Sequence, residues 1–397
     1  MITLKCKECG TDFEAQRTSA KFCSAKCRVK FNNTTEDENP VPKLEPPKVD
    51  KVIIQKAKET IKEKTKVDLE KEASRKLFIQ KINEQYGAGT VMCMADVVKK
   101  MDNAISTGSI LLNEALGIGG LPRGRMVEIY GQESSGKTTL ATHIIAEAQK
   151  KGGMCAIVDV EQAFDTDYAE KLGVNLKMLE ISQPEYGEQA LEIASGMIES
   201  GSYTVVVVDS VAALIPKKEL EGESGDSAMG KQAWLMSQAC RKMVGSVAKS
   251  NTLLIWINQL RSRLGVMPYQ SPWITTGGNA LKRFTSVRLE IATIAKLKDG
   301  EEIIGSRTKV KVVKNKMAPP YKTAEFDTLF GIGIDQVGEL LEVASSLQIV
   351  NKSGMWYSYN GSKIGQGRDA AKQTLIANPE MIDEIKNKVK NYSPEQN

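Results

Sequence analysis

The stretch MVEIYGQESSGKTTLATHIIAEAQ constrains this chain more than any other. An apolar strand pattern breaks into Gly-x4-Gly-Lys-Thr and resumes as an apolar-periodic helix, the context in which a glycine-rich loop cradles phosphate. Such a unit belongs to an α/β fold with a doubly wound, mostly parallel sheet, whose strand ends face the loop. Gly131 and Gly136 let backbone amides turn inward, and Gln132, Glu133, Ser134 and Ser135 complete the expected cradle. Lys137 supplies a point charge to the β- and γ-phosphates, Thr138 a hydroxyl to Mg²⁺, and Thr139 completes the ATP-binding set. A chance glycine-rich turn is the competing reading.

Two further strands extend this pattern. MCAIVDVEQAF is an apolar run ending in Asp159 and Glu161, and YTVVVVDS reads as a fully buried strand ending in Asp209 and Ser210. At a strand's carboxyl end Asp209 can hold Mg²⁺ through water and Glu161 can polarise an attacking water. A helix N-cap is the alternative for Asp209, and an ordinary surface carboxylate for Glu161. A fourth strand, TLLIWINQL, ends in Asn258 and Gln259, neutral amides suited to reading a γ-phosphate.

Composition removes other chemistries. The single histidine, His143, excludes Ser-His-Asp and Cys-His triads, two-histidine metal triads and HExxH sites. His143 lies in the helix after the glycine-rich loop and reads as a packing residue. A net charge of +5, 41% hydrophobic residues and 26% charged residues describe a globular, multi-domain chain. No apolar run approaches the roughly 18 residues of a membrane span. MITLKCKECG lacks an apolar stretch with a cleavage site, so a cytoplasmic protein, neither exported nor membrane-spanning, is expected.

Four of the seven cysteines crowd the first 27 residues in the pattern C-x2-C-x13-C-x3-C. Cys6, Cys9, Cys23 and Cys27 form two pairs at the spacing of a tetrahedral Zn²⁺ site, with Phe13 and Phe22 beside them. Four reduced thiols in a disordered tail are the alternative. Lys5, Lys7, Lys21, Lys26, Arg28 and Lys30 make the head basic, which suits nucleic acid or a solvated surface equally.

The sequence divides into a four-cysteine, zinc-finger-like head at 1–33, a charged, proline-containing linker at 34–71, an oligomerisation helix at 72–89, an ATPase core at 90–333 and a small α+β domain at 334–397. Within the linker, 48–72 also fits a solvated or partner-dependent helix. Leu77, Phe78, Ile82 and Tyr86 carry the stronger amphipathic helix.

Two long segments suggest a second function. EGESGDSAMG at 221–230 is glycine-rich and poorly apolar, and SRLGVMPYQSPWITTGG at 262–278 follows the Gln259 strand. Long loops in a compact domain are usually functional, a mobile loop without a ligand being the alternative. Arg241, Arg261 and Arg263 offer phosphate contacts, and Gly277, Gly278 and Asn279 offer backbone and amide donors.

From about Ile105 to Ile364, the ordered run of STGS, GGLPRGR, EIYGQESSGKTT, GEQALEI, VVDSVAAL, MSQACRK, INQLR, TTGGNAL and VKVVKNK resembles the bacterial RecA recombinases. The resemblance implies a DNA-dependent ATPase that forms helical filaments on single-stranded DNA and exchanges strands with double-stranded DNA in recombinational repair. A filament-forming, DNA-binding paralogue with little hydrolysis is the alternative. It implies Glu161 as general base, Lys137 and Asp209 at the phosphates and Mg²⁺, and Gln259 as sensor of the γ-phosphate. Asp165 and Tyr168 would contact adenine, Lys314 and Lys316 would reach a neighbouring protomer's phosphates, and Met229 and Leu264 would wedge between bases.

The chain departs from that pattern in places. Pro268, Tyr269, Pro272 and Trp273 make the second loop bulkier, Trp234 stands where a basic residue is common, and Arg283 where an aromatic one is usual. Ala228 replaces a usual histidine, and the end at NYSPEQN lacks the usual acidic tail, implying weaker autoinhibition of duplex binding. The cysteine-rich head is an addition.

Overall fold

The structure, a computed structural model, describes residues 2–15, 20–35, 51–87, 89–93, 104–221, 230–262 and 272–392, with backbone alone at 31–35 and 51–67. The chain divides into two units, Met1–Met92 and Cys93–Asn397.

In the first unit, β1 (Ile2–Lys5) pairs antiparallel with β2 (Asp12–Ala15), and α1 (Ala25–Thr35) follows the second cysteine pair. The turn between the strands is closed by the Cys6 N–H to Thr11 and the Gly10 N–H to Cys6, both at 3.0 Å. Helix α2 runs unbroken over Lys51–Tyr86, so the backbone shows no break at the expected boundary of 72. Its Lys–Glu density favours this, because opposite charges one turn apart support a solvated helix, as Lys76 and Glu72 do at 2.8 Å. Leu77, Phe78 and Tyr86 on it are exposed.

The second unit is organised by one ten-stranded sheet. In chain order its elements are α3 (Ile110–Leu116), β3 (Met126–Gly131), α4 (Lys137–Lys150), β4 (Cys155–Asp159), α5 (Thr166–Lys171), β5 (Leu179–Ser182), α6 (Gly187–Glu199), β6 (Val205–Asp209) and α7 (Lys217–Leu220). There follow α8 (Lys231–Ser250), β7 (Leu253–Ser262), β8 (Trp273–Thr275), α9 (Ala280–Phe284), β9 (Val287–Asp299), β10 (Glu302–Asn315), β11 (Thr323–Leu329) and β12 (Gly333–Ile334). Spatially the order is β12-β11-β10-β9-β3-β7-β6-β4-β5, with β8 paired to β7. Strands from β5 to β9 run parallel, and β9 through β12 run antiparallel, so the sheet is α/β but more mixed than expected.

The parallel strands are covered on both faces, and β3, β4 and nearly all of β6 are buried, as continuous apolar runs require. On one face Leu140, Ile144 and Ile145 of α4 pack with Val127, Ile129 and Val207. On the other Leu191 and Ile198 of α6 and Met236 and Met243 of α8 pack around Val206, Val208 and Trp256. The stretch read as one long loop at 262–278 is bracketed by antiparallel pairing, Ser262 opposite Trp273 and Leu260 opposite Thr275.

Beyond β12 a smaller layer comprises α10 (Gln336–Ser346), the antiparallel sheet β13 (Asn351–Ser353), β14 (Trp356–Tyr359) and β15 (Ser362–Gln366), α11 (Arg368–Ala377) and α12 (Pro379–Lys390). Leu340, Tyr357, Ile364, Leu375 and Ile385 form its core. It is tied to α3 by polar contacts: Glu339 accepts from the Ser109 hydroxyl at 2.6 Å and from the Ile110 and Leu111 N–H groups at 3.0 Å, capping that helix. Among the described residues no helix is long and apolar enough to cross a membrane.

Candidate nucleotide-binding site and nucleic-acid surface

The turn from β3 into α4 is built by close packing. A Cβ at Gly131 would collide with the Ile291 carbonyl oxygen, so only glycine lets the loop leave the sheet there. The Ser135 hydroxyl donates to the Gln132 carbonyl at 2.8 Å, and Lys137 Nζ donates to the same carbonyl at 2.7 Å. Lys137 is nearly buried, and burial lowers its pKa against the pull of Asp209 and Glu161.

Parallel register brings the acids together. Asp159 and Asp209 are neighbours across the β4–β6 pair, and the Val160 N–H donates to the Asp209 carbonyl at 2.7 Å, holding Glu161 beyond the strand ends. Thr138 Oγ1 donates to Asp209 Oδ2 at 2.7 Å, and burial pushes the Asp209 carboxyl up to about 6. A hydroxyl and a half-buried carboxylate converging beside the phosphate loop fit a hard cation such as Mg²⁺, whose charge would offset that desolvation. Glu161 Oε1 accepts from Gln259 Nε2 at 2.9 Å and from the Ser210 hydroxyl.

Asn258 does not join them. Successive strand residues face opposite sides, and Asn258 is fully buried, donating to Glu128 at 2.9 Å and accepting from Thr276 Oγ1 at 2.5 Å. Glu128 is paired with Arg288 at 2.5 Å, and Arg288 lies 4.6 Å from the Tyr130 ring centre.

A cleft of about 260 Å³ opens over the loop, lined by Ser134 through Thr139, Tyr168, Ser306, Thr328, Leu329 and Phe330. Tyr168, read from the sequence as an adenine contact, lines this cleft. Asp165 accepts the Tyr168 N–H at 2.9 Å as the N-cap of α5 and does not line the cleft. Ser306, Thr328 and Phe330 were missed by sequence reasoning, since they come from antiparallel strands and a turn that carry no motif. The exposed Phe330 beside a glycine-rich loop is the signal that tertiary structure supplies.

His143 is buried, its Nε2 accepts the Ile334 N–H at 2.9 Å, and burial drives its pKa down to about 4. It packs as expected and also joins α4 to β12. Lys314 Nζ donates to the carbonyls of Lys282 and Arg283 at 2.7 and 3.2 Å, whereas Lys316 is exposed.

Of the residues expected at nucleic acid, Arg241 lies on α8, Arg261 is exposed on β7, Gly277 and Gly278 follow β8, and Asn279 precedes α9. Met229, Arg263 and Leu264 lie outside the described residues, as do Ala228, Pro268 and Tyr269. In the head, ligand atoms of Cys6, Cys9, Cys23 and Cys27 all lie within 4.8 Å of one another. N–H groups of Cys9 and Cys23 lower Cys6 to about 6, while hydrogen bonds with Cys9 and Cys27 push Cys23 up to about 12. Such crowding fits four thiolates about one cation.

A phosphate loop at the carboxyl ends of buried parallel strands, with acids closing two of them, defines a P-loop nucleoside-triphosphate-binding protein. The family model described as the RecA N-terminal domain matches residues 74–335, and that described as the RecA C-terminal domain matches 338–393. The chain belongs to the RecA family. It is 56% identical to Protein RecA of Rhodospirillum rubrum over 323 residues, 81% of this chain and 88% of that protein. It is 56% identical to Protein RecA of Chloroherpeton thalassium over 325 residues, 82% of this chain and 91% of that protein. With Protein RecA of Chlorobium chlorochromatii the identity is 57% over 325 residues, 82% and 92% of the two chains.

Proposed function

We propose that this protein is a DNA-dependent ATPase that assembles on single-stranded DNA and catalyses homologous pairing and strand exchange in the cytoplasm. The observation that carries the reading is the convergence of Lys137, Thr138, Asp209, Glu161 and Gln259, drawn from β3–α4, β4, β6 and β7, beside a cleft lined by the phosphate loop.

In this reading the loop amides and Lys137 hold the phosphates, and Tyr168 and Phe330 flank the base. Thr138 and Asp209 would hold Mg²⁺, which when bound would offset phosphate charge. Glu161 takes a proton from the attacking water, with Gln259 and Ser210 holding its Oε1 in place. Because β7 carries Gln259 at the nucleotide and pairs with β8 from the next residue onward, nucleotide state is passed to the segment that contacts DNA. Arg241, Arg261, Arg263, Gly277, Gly278 and Asn279 meet DNA phosphates, and Met229 and Leu264 wedge between bases. Lys314 and Lys316 act across a protomer interface, Asp165 helps seat the base, and the four head cysteines hold Zn²⁺.

The test is phosphate release with and without single-stranded DNA, combined with negative-stain imaging in a slowly hydrolysed ATP analogue. DNA-stimulated turnover and filaments on DNA support the proposal. Turnover indifferent to DNA, or unwinding of duplex without assembly, overturns it in favour of another P-loop chemistry.

A further inference from the structure

The wall of the nucleotide cleft formed by β10 and β11 carries an ion-pair cluster on its other face. Ser306 of β10 lies directly opposite Thr328 of β11, and both line the cleft. One residue along, Arg307 lies directly opposite Asp327, and strand alternation turns this pair to the far side of the sheet. Arg307 Nη1 donates to Asp327 Oδ1 at 2.9 Å, and Arg368 Nη1 of α11 donates to Asp327 Oδ2 at 2.8 Å. Arg368 also reaches Glu342 of α10 at 3.0 Å. The Asp327 side chain is only 3% exposed. Burial alone would raise its pKa, but hydrogen bonds from the two arginines hold it below the ordinary carboxylate value.

Backbone pairing around this wall is interrupted. The register of β9 against β10 slips between Ile303 and Gly305 and again between Arg307 and Thr308, on either side of Ser306. On the other flank β11 pairs with β12 through two positions, Thr328 and Leu329. The chain then turns into Phe330, whose N–H donates to the Ile304 carbonyl at 2.9 Å. A buried carboxylate bonded on each oxygen by a guanidinium is a strong, directional clamp on such a segment.

We infer that Arg307 and Asp327 are positioning residues for nucleotide binding: their pair, held by Arg368 from the C-terminal layer, sets where Ser306, Thr328 and Phe330 stand against the base. The inference rests on the ATP binding proposed above. Neither residue touches the nucleotide, which meets the opposite face of the strands. Because this wall meets the base while the phosphate loop meets the phosphates, loosening it should cost ATP and ADP affinity alike and spare binding of a phosphate chain alone.

Arg307→Met, Arg307→Lys, Asp327→Asn and Lys372→Met are compared with the parent in ATP turnover and in thermal midpoint. ATP, ADP and inorganic tripolyphosphate are also competed against a fluorescent nucleotide. Lys372 belongs to the same joint but pairs with Asp335, at 2.6 Å, rather than with Asp327. Arg307→Met and Asp327→Asn should raise KM for ATP and weaken ATP and ADP binding by roughly threefold to thirtyfold, with kcat within about twofold and tripolyphosphate affinity unchanged. Arg307→Lys should recover most of the loss, and Lys372→Met should lower the thermal midpoint without moving KM. An unchanged KM in Arg307→Met overturns the inference, as does an equal loss of ATP and tripolyphosphate affinity. A rise in KM in Lys372→Met that matches its fall in thermal midpoint also overturns it, reducing the cluster to a structural joint. A parent protein that binds no nucleotide would instead overturn the proposed function itself, and this inference with it.

Discussion

Gln259 Nε2 donates to Glu161 Oε1 across 2.9 Å, joining residues 98 positions apart. The contact spans the ends of β7 and β4, with the Asp209 strand between them. Behind it the Gln259 N–H is held at 2.9 Å by Asn258 Oδ1, the atom that also accepts from Thr276 beyond β8. The proposed base is therefore fastened, through two consecutive residues of one strand, to the start of the Thr276–Asn279 turn.

Replacing Glu161 with Gln should keep nucleotide binding while cutting hydrolysis by about 10²–10⁴, the usual contribution of a positioned base. Lys137→Ala should instead abolish binding, because the loop loses its only lysine. Fluorescent-nucleotide titration and phosphate release separate the two. Hydrolysis at the parent rate in Glu161→Gln would remove Glu161 from the role of base.

If Lys316 acts on a neighbour's nucleotide, Lys137→Ala and Lys316→Ala proteins should each be inactive alone and regain part of the parent turnover when mixed. A mixed interface can then pair one intact phosphate loop with one intact lysine. Lys314, which ties down the carbonyls of Lys282 and Arg283, is expected to be less tolerant of substitution than Lys316. Absence of recovery in filaments shown to contain both proteins would exclude action in trans.

The single histidine makes a clean pH experiment. Burial holds His143 near a pKa of about 4 against an ordinary value of 6.5, and only its neutral ring accepts the Ile334 N–H. The unfolded chain thus binds the proton more readily, so this stability is complete above about 6.5 and is lost as pH falls towards about 4. The total is on the order of 3 kcal/mol. Urea unfolding from pH 7 to 4 should lose a corresponding part of its pH dependence in His143→Gln, whose side chain retains an acceptor. An unchanged profile would show that other groups carry the acid sensitivity.

The head should bind one Zn²⁺ per chain through Cys6, Cys9, Cys23 and Cys27, leaving basal ATP turnover independent of it. Protein purified without chelator should contain close to one equivalent of zinc and protect all four thiols from titration. Removing residues 1–33 should weaken DNA binding in a salt-sensitive way while basal hydrolysis persists. Less than half an equivalent, with freely titratable thiols, argues against the metal; unchanged DNA affinity at every salt concentration assigns the head to protein contacts instead.

Local pattern and spacing were sufficient for several features. The run VEIYGQESSGKTT specifies strand, loop and helix, because a Gly-x4-Gly-Lys-Thr turn is a short-range backbone device; VVVVD specifies a strand buried on both faces, because only such a strand tolerates unbroken β-branched residues. Cysteine spacing likewise placed four thiols together in the head. Sheet order, by contrast, was decided by long-range packing. It set Asp209 against Thr138, and strand alternation turned Gln259 towards Glu161 while burying Asn258 against Glu128. Antiparallel strands and a turn more than 160 residues beyond the loop carried Ser306, Thr328 and Phe330 to the cleft over the phosphate loop. The contact between α8 and α9 gathered Arg241 and Arg283 in one cleft. No local pattern records these approaches, since each depends on which strand neighbours which and on the face a side chain occupies once the core has closed.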